Sequence, residues 1–205
     1  MWIDITMPLY KNMPVWPGDT PFDYRLMATL TSDGANVGEI TMSLHAGTHI
    51  DAPFHYDDFG KSIDALPLDL FIGPVLLIDV TGKEQIQKQH LEELSLNGIE
   101  RIFFKTKETY DLYRFDPSYT TIHPEAVTFL ANKGIKVIGT DAPSVDAVED
   151  TTLQAHHACK NEGIYIIENL HLKDIVGGLY EFIGLPLAIQ SGDASPIRAI
   201  IRKMK

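Results

Sequence analysis

The chain has 205 residues, 44% hydrophobic and 22% charged, and its 17 Lys and Arg stand against 28 Asp and Glu for a formal net charge of −11. These proportions exclude a long disordered chain and supply enough apolar residues for the core of one domain spanning residues 1–205. The acidic balance, without a basic run, excludes nonspecific nucleic-acid binding and docking on anionic membranes, since both need clustered Lys and Arg.

The N-terminus, Met1-Trp2-Ile3-Asp4, has no basic region followed by an apolar core, so a cytoplasmic protein without a signal peptide is expected. Ile3 to Leu9 predicts a short strand, and Pro14, Trp16, Pro17, Gly18, Asp19 and Pro21 predict turns. Ile40 to Leu44 reads as a strand running into His45. Gly73-Pro74 breaks the chain before Val75 to Val80, an apolar run of strand type. Lys83 to Leu96 predicts a helix with Ile86, Leu91 and Leu94 facing inward and Gly98 as its stop. Ile102-Phe103-Phe104 predicts a buried strand, and the polar, aromatic residues 105–121 a long surface loop.

His123-Pro124 opens a helix through Asn132, ended by Gly134. Ile135 to Thr140 follows as a strand. A helix capped by Asp150 or Thr151 then runs through Cys159 or Lys160. Ile164 to Glu168, Leu185 to Ile189 and Ile197 to Ile201 complete the strands. Alternating strands and helices in the second half predict an α/β fold with partly parallel pairing. The lone cysteine, Cys159, allows neither an internal disulfide nor a thiolate zinc cluster, and reads as a small buried residue. No run reaches the ~18 apolar residues of a membrane span.

Chemistry concentrates in residues 43–56, where His45, His49, Asp51 and His55 lie close together. A helix through them is disfavoured by Gly47, Ile50 and Pro53. All four occupy odd positions, so an extended chain points them to one side until Pro53 bends it and turns His55 to another angle. Gly47 lets backbone approach closely. Two imidazoles and a carboxylate suit zinc, manganese or iron, and three protein ligands leave a position for water, as in a catalytic site. Asp51 has two oxygens with which to bridge two ions, and His55 is a candidate general base or acid. One histidine alone would be an ordinary surface or core residue; four such groups beside Gly and Pro point to a site. His156-His157 and Glu168 sit where a predicted helix and strand end, which meet at active-site rims in α/β folds. Trp16, in a Pro/Gly turn, reads either as a loop anchor or as a platform for an aromatic ring. Asp141 and Asp146 read as anchors bonded to the Pro143-Ser144 turn, and Asp193, Ser195 and Arg198 as a turn before the last strand.

The run His45-Ala46-Gly47-Thr48-His49-Ile50-Asp51-Ala52-Pro53-Phe54-His55 resembles the signature of the metal-dependent cyclase-like hydrolases. The similarity extends through Trp16 to Pro21, Thr140 to Asp146, Ala155-His156-His157, Ile167 to Leu170 and Asp193 to Arg198, and favours the kynurenine formamidase branch. That resemblance implies a swivelling β/β/α single domain with a mixed sheet, a homodimer, and two divalent ions, zinc before manganese. It implies that His45, His49 and Asp51 hold one ion, and that Asp51 bridges to a second completed by His156 and Glu168. His156 is chosen over His157 because its twelve-residue interval to Glu168 matches the family pattern. His55 would move the proton and Trp16 would pack on the substrate ring. The implied reaction is hydrolysis of N-formyl-L-kynurenine to L-kynurenine and formate, a step of tryptophan catabolism. Two other readings stand beside it: a hydrolase opening a cyclic amide such as isatin, and a non-catalytic metal-binding module. The open N/O ligand set and His55 speak against the module.

Overall fold

The computed structural model describes residues 1–204. In chain order the strands are β1 (Ile3–Asp4), β2 (Asp23–Ala28), β3 (Val37–Thr41), β4 (His49–Asp51), β5 (Ile72–Asp79), β6 (Gln85–Ile86), β7 (Arg101–Lys105), β8 (Thr121–Ile122), β9 (Val137–Thr140), β10 (Tyr165–Glu168), β11 (Gly178–Ile183), β12 (Ala194–Pro196) and β13 (Ile200–Lys203). The helices are α1 (Leu30–Asp33), α2 (Pro124–Asn132) and α3 (Gln154–Glu162). One mixed sheet takes nine of the strands in the order β1-β13-β11-β5-β7-β9-β10-β4-β12. Its central pairs, β5–β7, β7–β9 and β9–β10, are parallel, and the flanking pairs are antiparallel.

Parallel strands buried on both faces carry near-continuous apolar runs, and β7 and β9 are buried at every residue. Alternation then divides their side chains between two cores. Val75, Leu77, Phe103, Val137 and Ile167 enter one core together with Ile5, Phe182 and Ile201. Phe103 and Phe182 lie 4.8 Å apart, edge to face, although β5 separates their strands, so the sheet curls around this core. Ile102, Phe104, Ile138 and Ile166 enter the other, where α2 contributes Val127 and Leu130 and α3 contributes Ala155 and Cys159. Helix α2 starts where expected, with the His123 ring accepting from the Glu125 N–H and Pro124 in the first turn.

Several sequence expectations are corrected. Lys83 to Leu96 is no helix. Gln85–Ile86 is drawn into the parallel pairing of β6 with β8, and only Lys88–His90 is helical, as a short 3₁₀ segment followed by a turn at residues 91–93. Ile86 and Leu91 are buried all the same. Leu185 to Ile189 forms no strand and meets Ile197 only through a bridge at Pro186. The strand lies just before it, in β11, between β5 and β13. The hairpin β2–β3 lies outside those expectations, and its strand β3 overlaps the expected Ile40–Leu44 run only at Ile40–Thr41, the chain turning before His45. The last strand begins at Ile200 rather than Ile197, and the first shrinks to Ile3–Asp4 with a bridge at Thr6. Among the described residues no helix is long and apolar enough to cross a membrane.

Candidate active site

Strand β4 lies between β10 and β12, antiparallel to both. Its register sets His49 opposite Glu168, and period-two alternation puts Asp51 on the same face as His49. Ala194 of β12 stands opposite Asp51. Gly47 enters this strand at φ +70, and a Cβ there would come within 2.7 Å of the Leu9 side chain. The Gly47 carbonyl accepts from His49 Nδ1 at 2.9 Å, which leaves Nε2 bare toward the site. Helix α3 covers this face, and His156 stands in its first turn, not near its end as expected.

His45 Nδ1 and His49 Nε2 lie 3.1 and 3.2 Å from Asp51 Oδ1. His156 Nε2 lies 3.5 Å from Asp51 Oδ2 and 3.7 Å from Glu168 Oε1. His49 Nε2 is also 3.5 Å from Glu168 Oε2. The five remote residues therefore converge as two donor groups that share Asp51: His45, His49, Asp51 and Asp51, His156, Glu168. Both Asp51 oxygens and His49 Nε2 are buried with no hydrogen-bond partner. Buried polar atoms are nearly always satisfied, and lone pairs orphaned in this way fit divalent cations. His157 is exposed and takes no part. His55, on the 3₁₀ turn after Pro53, stacks 4.1 Å from the His45 ring, with its Nδ1 3.8 Å from Asp193.

Two carboxylates read from the sequence as structural turn to the site histidines. Asp146 accepts from the Ala155 and His156 N–H groups at the start of α3 and from His156 Nδ1 at 2.7 Å. It therefore caps the helix and fixes the His156 ring, replacing the expected cap at Asp150 or Thr151, although Asp150 does accept from Thr152 and Gln154. Asp193 meets His45 Nε2 at 2.9 Å and is not merely a turn residue. Its place follows from the Ala52 N–H bonding to the Asp193 carbonyl, a long-range contact with no sequence signal. Asp141 is an anchor, but it accepts from Thr106 and Tyr110 rather than from the Pro143-Ser144 turn.

The electrostatics follow from burial and proximity. Burial opposes a charge on Asp51, but His156, His45 and His49 outweigh it and hold the carboxyl well below its usual range. Burial and the Asp51 anion raise Glu168 well above its own. Burial also opposes charge on His45, yet Asp193 and Asp51 push it up to about 10. Asp146 and Asp51 overcome burial at His156 in the same way, again to about 10. Burial, with help from the His45 and His156 charges, pushes His55 down to about 4. Protons on His45, His156 and Glu168 therefore occupy atoms that a cation would take, so protons and metal ions compete for this centre.

Above the donors opens a cavity of about 340 Å³ reached by His45, His55, His156 and Glu168. Trp16 lines it and packs edge to face on Phe115, ring centres 5.5 Å apart. Residues 106–120 are therefore not a bare surface loop, because their inner side forms the cavity wall. Tyr110 fastens that wall: its hydroxyl donates to Asp141 and accepts from the Leu172 N–H, and its ring stacks on His171 at 4.8 Å.

The family model described as "Putative cyclase" matches residues 3–147. The chain belongs to this cyclase family. It is 45% identical over 202 residues to a kynurenine formamidase of Bacillus cereus, covering 98% of this chain and 97% of that one. A kynurenine formamidase of Bacillus cytotoxicus is 43% identical over 204 residues, covering 99% and 98%. A solved "Potential Metal-Dependent Hydrolase With Cyclase Activity" superposes with a TM-score of 0.86 at 29% identity, covering 100% of this chain and 98% of that chain. Isatin hydrolase A from Labrenzia aggregata shares the fold, with a TM-score of 0.80 at 22% identity and coverage of 100% and 94%. As a member of the cyclase family with such full-length relatives, the chain is a hydrolase of an amide-type C–N bond.

Proposed function

We propose that this protein is an arylformamidase that hydrolyses N-formyl-L-kynurenine to L-kynurenine and formate. The observation that carries the reading is an Asp51 shared by two donor groups directly beneath an aromatic-walled cavity. Full-length similarity to kynurenine formamidases supports the substrate.

His45, His49 and Asp51 would hold one divalent ion, and Asp51, His156 and Glu168 a second, zinc before manganese. Such ions supply positive charge that polarises a carbonyl and lowers the pKa of water toward neutrality. Asp146 locks the His156 ring, and Gly47 locks His49, so both imidazoles present Nε2. His55 is neutral near pH 7 and accepts a proton from the attacking water. It returns that proton to the aryl nitrogen as the C–N bond breaks, releasing amine and formate. Trp16 and Phe115 offer flat apolar area to the substrate ring, and the Tyr110 loop keeps solvent from one side.

A metal-defined assay comparing N-formyl-L-kynurenine, isatin and a simple formanilide tests the reading. The highest kcat/KM is expected with N-formyl-L-kynurenine. Preference for isatin would make the enzyme a cyclic-amide hydrolase. Unfolding on chelation, with no hydrolysis by the metal-loaded protein, would make it a binding module.

Trp16→Ala is expected to raise KM for aromatic formamides about 3- to 10-fold, the scale of an aromatic pair, with metal content unchanged. Steady-state kinetics that match the parent would confine Trp16 to packing.

A homodimer is the assembly we propose. It is supported by the β2–β3 hairpin, outside the main sheet, which exposes Tyr24, Leu26, Met27, Val37 and Ile40. Sedimentation is expected to give twice the chain mass, and a monomer at micromolar concentration would exclude it.

A further inference from the structure

The cavity wall carries a cation that the reaction as written does not use. Lys107 lines the same cavity as His45, His55 and Trp16, with its ammonium 4.8 Å above the Tyr110 ring. Among the described residues it enters no ion pair and no hydrogen bond. Of the other charged residues lining the cavity, the second cation, Arg114, is exposed, Asp111 is exposed and accepts from the Tyr113 and Arg114 N–H groups, and Asp19 is half-buried. Three further acids are held by other groups. Glu108 pairs with Lys105 at 2.9 Å. Asp141 already accepts from the Thr106 N–H and hydroxyl and from Tyr110. Asp116 accepts from the Ser118 N–H. Burial lowers the Lys107 pKa, with Asp141 and Asp116 opposing it from a distance.

A half-buried ammonium without an anion is unfavourable until one arrives. In a chain of net charge −11, a cation left unpaired in the cavity is a selective element rather than part of the general surface balance. Tyr110 limits its wandering, since its ring lies beneath the ammonium while its hydroxyl is tied at both ends.

We propose that Lys107 is a specificity-determining residue that binds the α-carboxylate of the substrate's amino-acid side chain. This rests on the arylformamidase reading and deepens it, because the aryl formamide alone gives the enzyme no reason to keep a cation here. Lys107 separates amino-acid-bearing formamides from neutral ring amides, while the donors around Asp51 serve both.

The test compares the metal-loaded parent, Lys107→Met and Lys107→Arg on N-formyl-L-kynurenine and on N-(2-acetylphenyl)formamide, which keeps the ring, ketone and formamide but lacks the amino acid. With Lys107→Met, kcat/KM for N-formyl-L-kynurenine is expected to fall roughly 10- to 100-fold, mainly through KM, as for a charge-assisted hydrogen bond. The truncated substrate is expected to change less than about twofold, which also shows that the variant is folded. Lys107→Arg is expected to restore most of the loss. Calorimetric titration with the product gives a second readout: L-kynurenine binding weakens in Lys107→Met, whereas 2-aminoacetophenone binding does not. Equal losses on both substrates, or none on N-formyl-L-kynurenine, would overturn the assignment while leaving the arylformamidase reading intact. A parent that hydrolyses neither substrate would remove both.

Discussion

Asp51→Asn is expected to empty the centre of divalent ions and to abolish turnover. The carboxylate is fully buried, and each oxygen serves a different donor group: Oδ1 faces His45 and His49, and Oδ2 faces His156. Asparagine keeps the volume but removes the negative charge and replaces one oxygen with an N–H donor aimed at imidazole lone pairs. Both donor groups lose their common member at once. Divalent-ion catalysis contributes several kcal/mol of transition-state stabilisation, and each ~1.4 kcal/mol is tenfold in rate, so kcat is expected to fall at least about a thousandfold. The fold is expected to survive, because Asn matches Asp in volume and the backbone pairing of β4 with β10 and β12 is left in place. Elemental analysis of the purified variant alongside its circular dichroism decides the matter. Full metal occupancy in a folded Asp51→Asn protein would refute the shared-ligand role.

His55→Ala is expected to separate chemistry from metal binding. His55 belongs to neither Asp51-centred group and stands beside them, against the His45 ring. About a third of its side chain is exposed, whereas His49 and His156 are buried, so of the three it presents the most surface to the cavity while staying beside the donors. With its pKa pushed down to about 4, it is unprotonated at neutral pH and able to accept a proton. Removing a positioned general base typically costs roughly 10²- to 10⁴-fold, and kcat should fall within that range while metal content stays at the parent level. A formanilide with a more acidic leaving amine should recover part of the loss, because its nitrogen needs less protonation. Loss of metal in His55→Ala would instead place His55 with His45 and Asp193 in a third ligand group.

The local signals were legible. His123-Pro124 announced α2, the apolar runs announced β5, β7, β9 and β10, and the odd-numbered spacing of His49 and Asp51 matched their shared face on β4, whereas His45 is not on an extended chain and reaches the same centre from a turn ahead of the strand. What escaped depends on distant partners. Lys83 to Leu96 has helical periodicity, yet Ile86 and Leu91 reach the core through a strand pair and a 3₁₀ turn, because β8 claims the backbone that a helix would have used internally. Pro186 sits in an apolar run but lacks the N–H a strand interior needs, so β11 forms earlier. Asp193 reaches His45 across 148 residues of sequence and Tyr110 bonds Asp141 across 31, contacts that no local pattern encodes. Asp146 was closer to view: an acid ten residues before His156, just ahead of a helix, is the arrangement of a carboxylate that both caps and orients.

The pairing of His49 with Glu168 across β4 and β10 has a consequence for how the protein is made. These residues are more than one hundred positions apart in the chain. During synthesis, the first histidines emerge from the ribosome long before the acid that the direct pairing of β4 with β10 sets opposite them. On the proposed ligand set, the complete cradle would exist only in the folded chain, so cation uptake would follow folding and would stabilise its product.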